Sequence, residues 1–223
     1  MIGVIQFPGS CDERDALAAV QRVGDGRLVW HEETDLAGMD GVVVPGGFSY
    51  GDYLRAGAIA RFSPAMEAVS RFAAEGGPVL GICNGFQVLC EAGLLPGALL
   101  PNDGLRFICR QVALIAEDFQ GPFGAAIRSG ERLSIPVKHM SGRYFAPDQE
   151  LDRMEAEGRI AFRYAAGENP NGSVRDVAGV VNAGGNVLGL MPHPEHAVDP
   201  LTGSDDGLAL FRVLAGAPQA AAA

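Results

Sequence analysis

The segment Pro78-Val79-Leu80-Gly81-Ile82-Cys83-Asn84-Gly85-Phe86-Gln87 carries most of the architecture. Its first half is a short, uncharged apolar run, which predicts a strand over Pro78 to Ile82 buried on both faces. Its second half opens helical spacing over Asn84 to Ala92. A strand that turns into a helix around one side chain, with Gly81 two residues before Cys83 and Gly85 two after, has the form of a nucleophile elbow. The glycines leave room for a strained turn that lifts the Cys83 side chain above the sheet. The helix behind it favours thiolate over thiol and aims backbone N–H groups at an oxyanion developing there. The plainer alternative is a packed cysteine in a turn of small residues.

On the N-terminal side the same alternation repeats. Ile2 to Phe7 is an apolar run closed by Pro8-Gly9-Ser10, and Asp12 to Val23 has helical spacing. Arg27 to Trp30 and Gly41 to Val44 predict two more strands, the second ended by Pro45-Gly46-Gly47. Pro64 to Ala74 predicts a helix capped by Ser63. Strands alternating with helices imply a parallel sheet covered on both faces. On the C-terminal side, Phe107 to Ala116, Leu133 to Val137, Ile160 to Tyr164, Val174 to Asn182 and Val187 to Met191 predict strands with few helices between them. A last helix is predicted over Asp205 to Leu214. The expected fold is α/β, with one open, mixed and mostly parallel sheet and helices on both faces. A single domain is expected over 1–216, followed by an Ala-rich tail over 217–223 that should fray.

Ligands of open parallel sheets bind at the carboxyl ends of strands. Three Gly-rich turns fall there, at Gly9, at Gly46-Gly47 and around Cys83. Consecutive glycines let a backbone N–H approach a ligand closely, so Gly47 is a candidate second oxyanion donor. Beyond the last apolar run comes His193-Pro194-Glu195. Pro194 favours an extended backbone at His193, which would put residues i and i+2 on one side. Glu195 would then hold one ring nitrogen of His193 and leave the other for Cys83, the logic of nucleophile, base and orienting carboxylate. The rivals are a solvated loop and a metal site drawing on His193, Glu195, His196 and Asp199, with His139. The chain has no H-E-x-x-H, and Pro194 limits how such ligands converge; no metal is expected.

Composition removes several classes. The net charge is −10, from 17 basic and 27 acidic residues, which argues against non-specific nucleic-acid or anionic-membrane binding. Lys138 is the only lysine and follows Pro136-Val137 rather than a Gly-rich run, so a Walker-type phosphate loop is excluded. No two of Cys11, Cys83, Cys90 and Cys109 have C-x-x-C spacing. The N-terminus lacks signal-peptide character, and no stretch reaches the ~18 apolar residues of a membrane helix. A cytoplasmic protein with reduced thiols is expected.

Taken in order and spacing, these segments resemble the class I glutamine amidotransferase domain. More closely, Pro45 to Gly57, Gly81-Ile82-Cys83-Asn84-Gly85-Phe86-Gln87 and Met191-Pro192-His193-Pro194-Glu195 are similar to the glutaminase-subunit family of phosphoribosylformylglycinamidine synthase. Phe7-Pro8-Gly9-Ser10 also fits, and the likeness runs from Met1 to about Leu214. The resemblance implies that Cys83 attacks the side-chain amide of glutamine and that N–H groups at Gly47 and Asn84 hold the oxyanion. It assigns Gln87 to substrate binding. His193 would protonate the leaving ammonia and activate water against the thioester, oriented by Glu195. The ammonia would pass to a large synthetase subunit, accompanied by a small third subunit, that converts formylglycinamide ribonucleotide in purine biosynthesis. ATP and magnesium belong to that partner, and no cofactor is expected in this chain. The family usually has an Asn between Ser10 and Cys11, Ala-His-Gly-Glu-Gly at 138–142 and an Arg at 196; here stand no Asn, Lys138-His139-Met140-Ser141-Gly142 and His196. Alternatives are a glutaminase for the GMP, CTP or histidine pathways, against which the Gly51-Asp52-Tyr53 run argues, a cysteine hydrolase of the related peptidase-like group, and a binding module on the same scaffold.

Overall fold

The computed structural model describes residues 1–216; the fraying expected over 217–223 lies outside the described residues. The apolar runs form strands β1 (Ile2–Gln6), β2 (Gly26–Trp30), β3 (Gly41–Val44), β4 (Val79–Ile82), β5 (Ala98–Leu100), β6 (Ile108–Ala116), β7 (Arg132–His139), β8 (Arg143–Phe145), β9 (Ile160–Tyr164), β10 (Val177–Val181) and β11 (Val187–Leu190). Between them lie helices α1 (Glu13–Gln21), α2 (Pro64–Ala74), α3 (Asn84–Glu91), α4 (Gly121–Ala126), α5 (Asp148–Ala156) and α6 (Leu208–Leu214).

One nine-stranded sheet runs in the order β2-β1-β3-β4-β11-β10-β9-β6-β7. The strands β2, β1, β3, β4 and β11 are mutually parallel, and β10, β9, β6 and β7 join antiparallel. The parallel half is buried on both faces: Val42, Val43, Val44, Leu80 and Ile82 are all fully covered. That explains why those strands read as unbroken apolar runs while β7 alternates. On one face α1 packs against β1 and β2 and touches α6; on the other, α3 covers β3, β4 and β11. Ser63 caps α2 as expected, its hydroxyl accepting from the Met66 N–H at 3.3 Å.

Four elements were not expected. Helix α4 carries the sequence GPFGAA, which reads as loop, and is held by one buried ring, Phe123. Helix α5 is strongly polar, with only Leu151 and Met154 buried, and it is tied down by Arg175, which pairs with Asp152 and Glu155. Strands β5 and β8 form a small two-stranded sheet of their own, too short to show a period. Residues Val174–Asp176, expected as strand, are instead a turn leading into β10, with Arg175 and Asp176 at positive φ.

The order places the ends of β3, β4 and β11 side by side, so the loops that follow them converge. The chain reverses its strand order at β1/β3, where the first loop meets the third: Ser10 and Gly47 form an isolated antiparallel bridge.

Packing at the elbow sets a test. A Cβ at Gly85 would fall on the Val44 backbone carbonyl, whereas one at Gly104 would meet open space. Gly85→Ala is expected to destabilise the chain by about 1–3 kcal/mol in urea denaturation, with Gly104→Ala close to the parent. Equal midpoints for the two variants would refute the close approach of α3 to β3.

Candidate active site

Cys83 joins β4 to α3 at φ 51° and ψ −104°. An L-residue in that region carries strain of about 1–3 kcal/mol and stays there only where its surroundings over-determine it. Here the Cys83 N–H donates to the Leu190 carbonyl at 2.9 Å, fixing the turn to the end of β11. Its Sγ lies 3.9 Å from the Lys138 carbonyl. The thiol faces a pocket of about 310 Å³ whose walls include Gly47, Phe48, Gln87, Lys138, Met140 and His193.

His193 follows β11 and is fixed by its N–H, which donates to the Pro136 carbonyl at 2.8 Å. Its Nδ1 lies 2.6 Å from Glu195 Oε1, with both side chains buried. The contact is not made along an extended chain, as the Pro194 argument predicted. Residues Pro194–His196 form a 3₁₀ turn, because the fixed φ of proline also suits the first position of a helix. The other ring nitrogen, Nε2, is buried without an ordinary hydrogen-bond partner. Burial opposes protonation of this ring, but the Glu195 carboxylate and the Cys83 sulfur outweigh it and push its pKa up to about 10.

The candidate oxyanion side is built from two loops. Gly47 has φ 141°, and a Cβ on the preceding Gly46 would lie 2.6 Å from Asp12 Oδ2 and 2.8 Å from His193 Cε1. Two residues without side chains are therefore needed for this loop to pass beside the base. Among the described residues, neither the Gly47 nor the Asn84 N–H donates to another group. The Asn84 side chain binds the loop to the elbow: its Oδ1 accepts from the Ser49 N–H at 3.0 Å, and its Nδ2 donates to Asp52 Oδ1 at 3.1 Å and Gln87 Oε1 at 2.9 Å. Gln87, singled out for substrate binding, reaches the pocket with its amide already paired, since its Nε2 donates to the Ser141 carbonyl. It stands as a brace between elbow and pocket wall.

One residue beside the base carried no functional signal in the sequence. Asp12, expected only as the start of a helix, is the N-cap of α1 but makes no capping bond. Its carboxylate turns inward, pairs with Lys138, lies 3.2 Å from His196 Nε2 and 3.8 Å from His193 Nδ1. Burial raises its pKa, but the His196 hydrogen bond, the His193 charge and Lys138 prevail and hold it far below the usual carboxylate range. One clue was available: the only lysine of an acidic chain lies next to a candidate His. Of the rival metal set, His193, Glu195 and His196 come together, joined by Asp12. Asp199 instead pairs with Arg22 at 2.9 Å, and His139 Nδ1 lies 3.1 Å from Asn102 Oδ1. Burial and the nearby His193 push His139 down to about 4, leaving it neutral.

Residues 1–206 match the family described as CobB/CobQ-like glutamine amidotransferase domain. The chain is 59% identical over 218 residues to phosphoribosylformylglycinamidine synthase subunit PurQ of Rubrobacter xylanophilus, covering 97% of this chain and 98% of that protein. It is 56% identical over 220 residues to the protein of the same name from Streptomyces avermitilis, covering 94% of each. Among solved structures it is similar to a chain of PurLQS from Thermotoga maritima, with a TM-score of 0.87 and 41% identity over 96% of this chain and 97% of that one. A glutamine amidotransferase from the same organism, 17% identical with a TM-score of 0.61 over 96% of this chain and 95% of that one, shares the fold.

The charge arrangement predicts an imidazolium at His193 in the resting protein. Its raised pKa stabilises the fold fully below the unfolded value of about 6.5. That contribution is lost as pH rises toward about 10. NMR titration of ring-labelled histidine should show His193 protonated at pH 7, and Cys83→Ala should bring its pKa down by removing the sulfur that favours the protonated ring. A neutral ring at pH 7 in the parent protein would overturn this assignment.

Proposed function

The chain belongs to the CobB/CobQ-like glutamine amidotransferase domain family, and from that membership we propose that it is the glutaminase subunit of phosphoribosylformylglycinamidine synthase. The observation that carries the chemistry is Cys83 on a strained elbow beside a buried His193 held by Glu195. Cys83 sulfur adds to the side-chain amide carbon of glutamine, and the carbonyl oxygen takes the charge, received by the N–H groups of Gly47 and Asn84. His193 gives its proton to the departing nitrogen, so ammonia leaves and a thioester remains. The neutral ring then takes a proton from water, whose oxygen attacks the thioester and releases glutamate and the thiolate. Glu195 holds the ring and stabilises its charged form. This sequence uses no cofactor of the chain's own.

The ammonia is delivered to a synthetase subunit that uses ATP and magnesium to turn formylglycinamide ribonucleotide into formylglycinamidine ribonucleotide, with a small third subunit in the complex. Two observations support a partner over the pocket mouth. Phe48 and Met140 line the pocket half-exposed, and Tyr53 and Leu54 beyond them are 74% and 89% exposed. Apolar side chains grouped at a rim mark an interaction surface. The loop also holds Tyr50, Asp52 and Leu54 at positive φ, a backbone ready to rearrange on docking. A reducing, cytoplasmic setting suits four free thiols, two of them exposed. No described helix is long and apolar enough to cross a membrane.

Two assays follow. In the reconstituted complex Cys83→Ala should remove glutamine-dependent turnover and leave ammonia-dependent turnover near the parent rate; glutamine-driven turnover above background would exclude Cys83 as nucleophile. The isolated chain should hydrolyse glutamine much more slowly than the complex does, and Leu54→Asp should weaken the gain on mixing. Equal rates with and without the synthetase would mean that the loop is already in its working form.

A further inference from the structure

Behind the base, on the side of His193 that faces away from Cys83, four side chains turn their polar atoms toward one another. One ligand atom each from Asp12, His193, Glu195 and His196 falls within 4.8 Å of all the others. Glu195 Oε1 lies 2.6 Å from His193 Nδ1 and 3.6 Å from His196 Nε2. The Asp12 oxygens lie 3.8 Å from His193 Nδ1 and 3.2 Å from His196 Nε2. In a tetrahedral zinc site with bonds of about 2.0–2.2 Å, neighbouring ligand atoms stand about 3.3–3.6 Å apart. The Glu195–His196 separation already stands at this value. The two Asp12 distances run to different oxygens, Oδ2 toward His193 and Oδ1 toward His196, so its carboxylate has to turn to present one of them, and the His193–Glu195 hydrogen bond has to open.

We propose that this cluster is a binding site for a divalent cation of the zinc class, and that the bound ion switches off glutamine hydrolysis; the second half rests on the function proposed above. Two carboxylates and two neutral imidazoles balance a 2+ ion in charge. The Asp12 carboxylate is at present served by Lys138, whose side chain is 30% exposed and can swing into water. The side chain of His196, also 30% exposed, opens the route in. On binding, the ion takes the Nδ1 lone pair of His193 and the Nδ1 proton passes to solvent. The ring keeps its other proton on Nε2 and would have to become an imidazolate to release it. It can no longer cycle a proton between nucleophile, leaving group and water, while the Cys83 sulfur stays outside the coordination shell.

The site is read directly by loading the full chain, first stripped with a chelator, with zinc in equilibrium dialysis and with cobalt for absorption spectroscopy. The expected result is one ion per chain and a tetrahedral cobalt spectrum without a thiolate charge-transfer band. His196→Arg removes a lone pair and should weaken binding about 10-fold or more. Lys138→Met removes the competing ammonium and should tighten it. A thiolate band, or zinc affinity unchanged in both variants, would overturn the proposal whether or not the chain is a glutaminase. In the complex, zinc should suppress glutamine-dependent turnover, spare ammonia-dependent turnover and be reversed by chelator. Inhibition equal in the parent and in His196→Arg, each measured against its own metal-free rate, would place the inhibitory ion elsewhere and refute the switch.

Discussion

Cys83 is held in a backbone conformation that L-residues avoid, and the neighbouring structure is arranged to keep it there. Its N–H is spoken for by the Leu190 carbonyl, its successor strand-to-helix turn is pressed onto β3 at Gly85, and β3, β4 and β11 lock the approach through parallel pairing. The same bond to Leu190 has a second effect. It brings the end of β11 to the elbow, so that His193, three residues on, arrives beside the thiol. The meeting of Cys83 and His193 thus follows from the strand order, and the Pro136 carbonyl then fixes His193 from the far side of the sheet.

Charge is the second constraint. A buried imidazolium between Glu195 and Asp12 would leave one carboxylate uncompensated, and an isolated buried charge costs several kcal/mol. Lys138 answers this by pairing with Asp12. Its head remains partly in water, so the pair's worth is smaller than that of a fully desolvated one. Two acidic side chains, Asp12 and Glu195, therefore meet Lys138 and His193 in one place, and displacing any one of them changes the field at the others. Asp12 belongs to the loop after β1, Lys138 to β7 and Glu195 to the turn after β11, so opposite halves of the sheet meet through electrostatics at the base.

What the sequence made legible follows the same physics. The parallel strands are buried on both faces, so their runs are unmistakable, and the elbow announces itself through its flanking glycines. His193 and Glu195 were found because they are adjacent in the chain, though the turn that joins them was expected as extended backbone. Asp12 was not found, and His196 was weighed only as a rival metal ligand, because their partners lie far off in sequence: Asp12 meets His196 across 184 residues and Lys138 across 126. A capping position explains an Asp sufficiently well that nothing prompts a search for another role. Helices α4 and α5 escaped for a simpler reason. One is anchored by a single Phe and the other by two apolar residues and an arginine network, and neither shows an apolar stripe.

The site also divides into parts of unequal stiffness. Cys83, His193 and Glu195 sit at the ends of buried strands, where moving any of them disturbs the core. The loop from Phe48 to Leu54 is backed only over its first half, where Ser49 is buried and the Phe48 and Tyr50 N–H groups donate to the Gly9 and Pro8 carbonyls. Its backbone is strained at Tyr50, Asp52 and Leu54, with strain of about 1 kcal/mol or more at each, and its tip is almost bare of protein cover. It is attached to the elbow through the side chain of Asn84, which grips Ser49 and Asp52. A partner pressing on the exposed tip acts on strained backbone first, and through Asn84 on the position of the Gly47 N–H. On the function proposed above, control exerted there would alter how well an oxyanion is received and leave Cys83 and His193 untouched. In a subunit whose product is useful only when an acceptor is ready, the compliant element belongs on that side, and the rigid one beneath the sulfur.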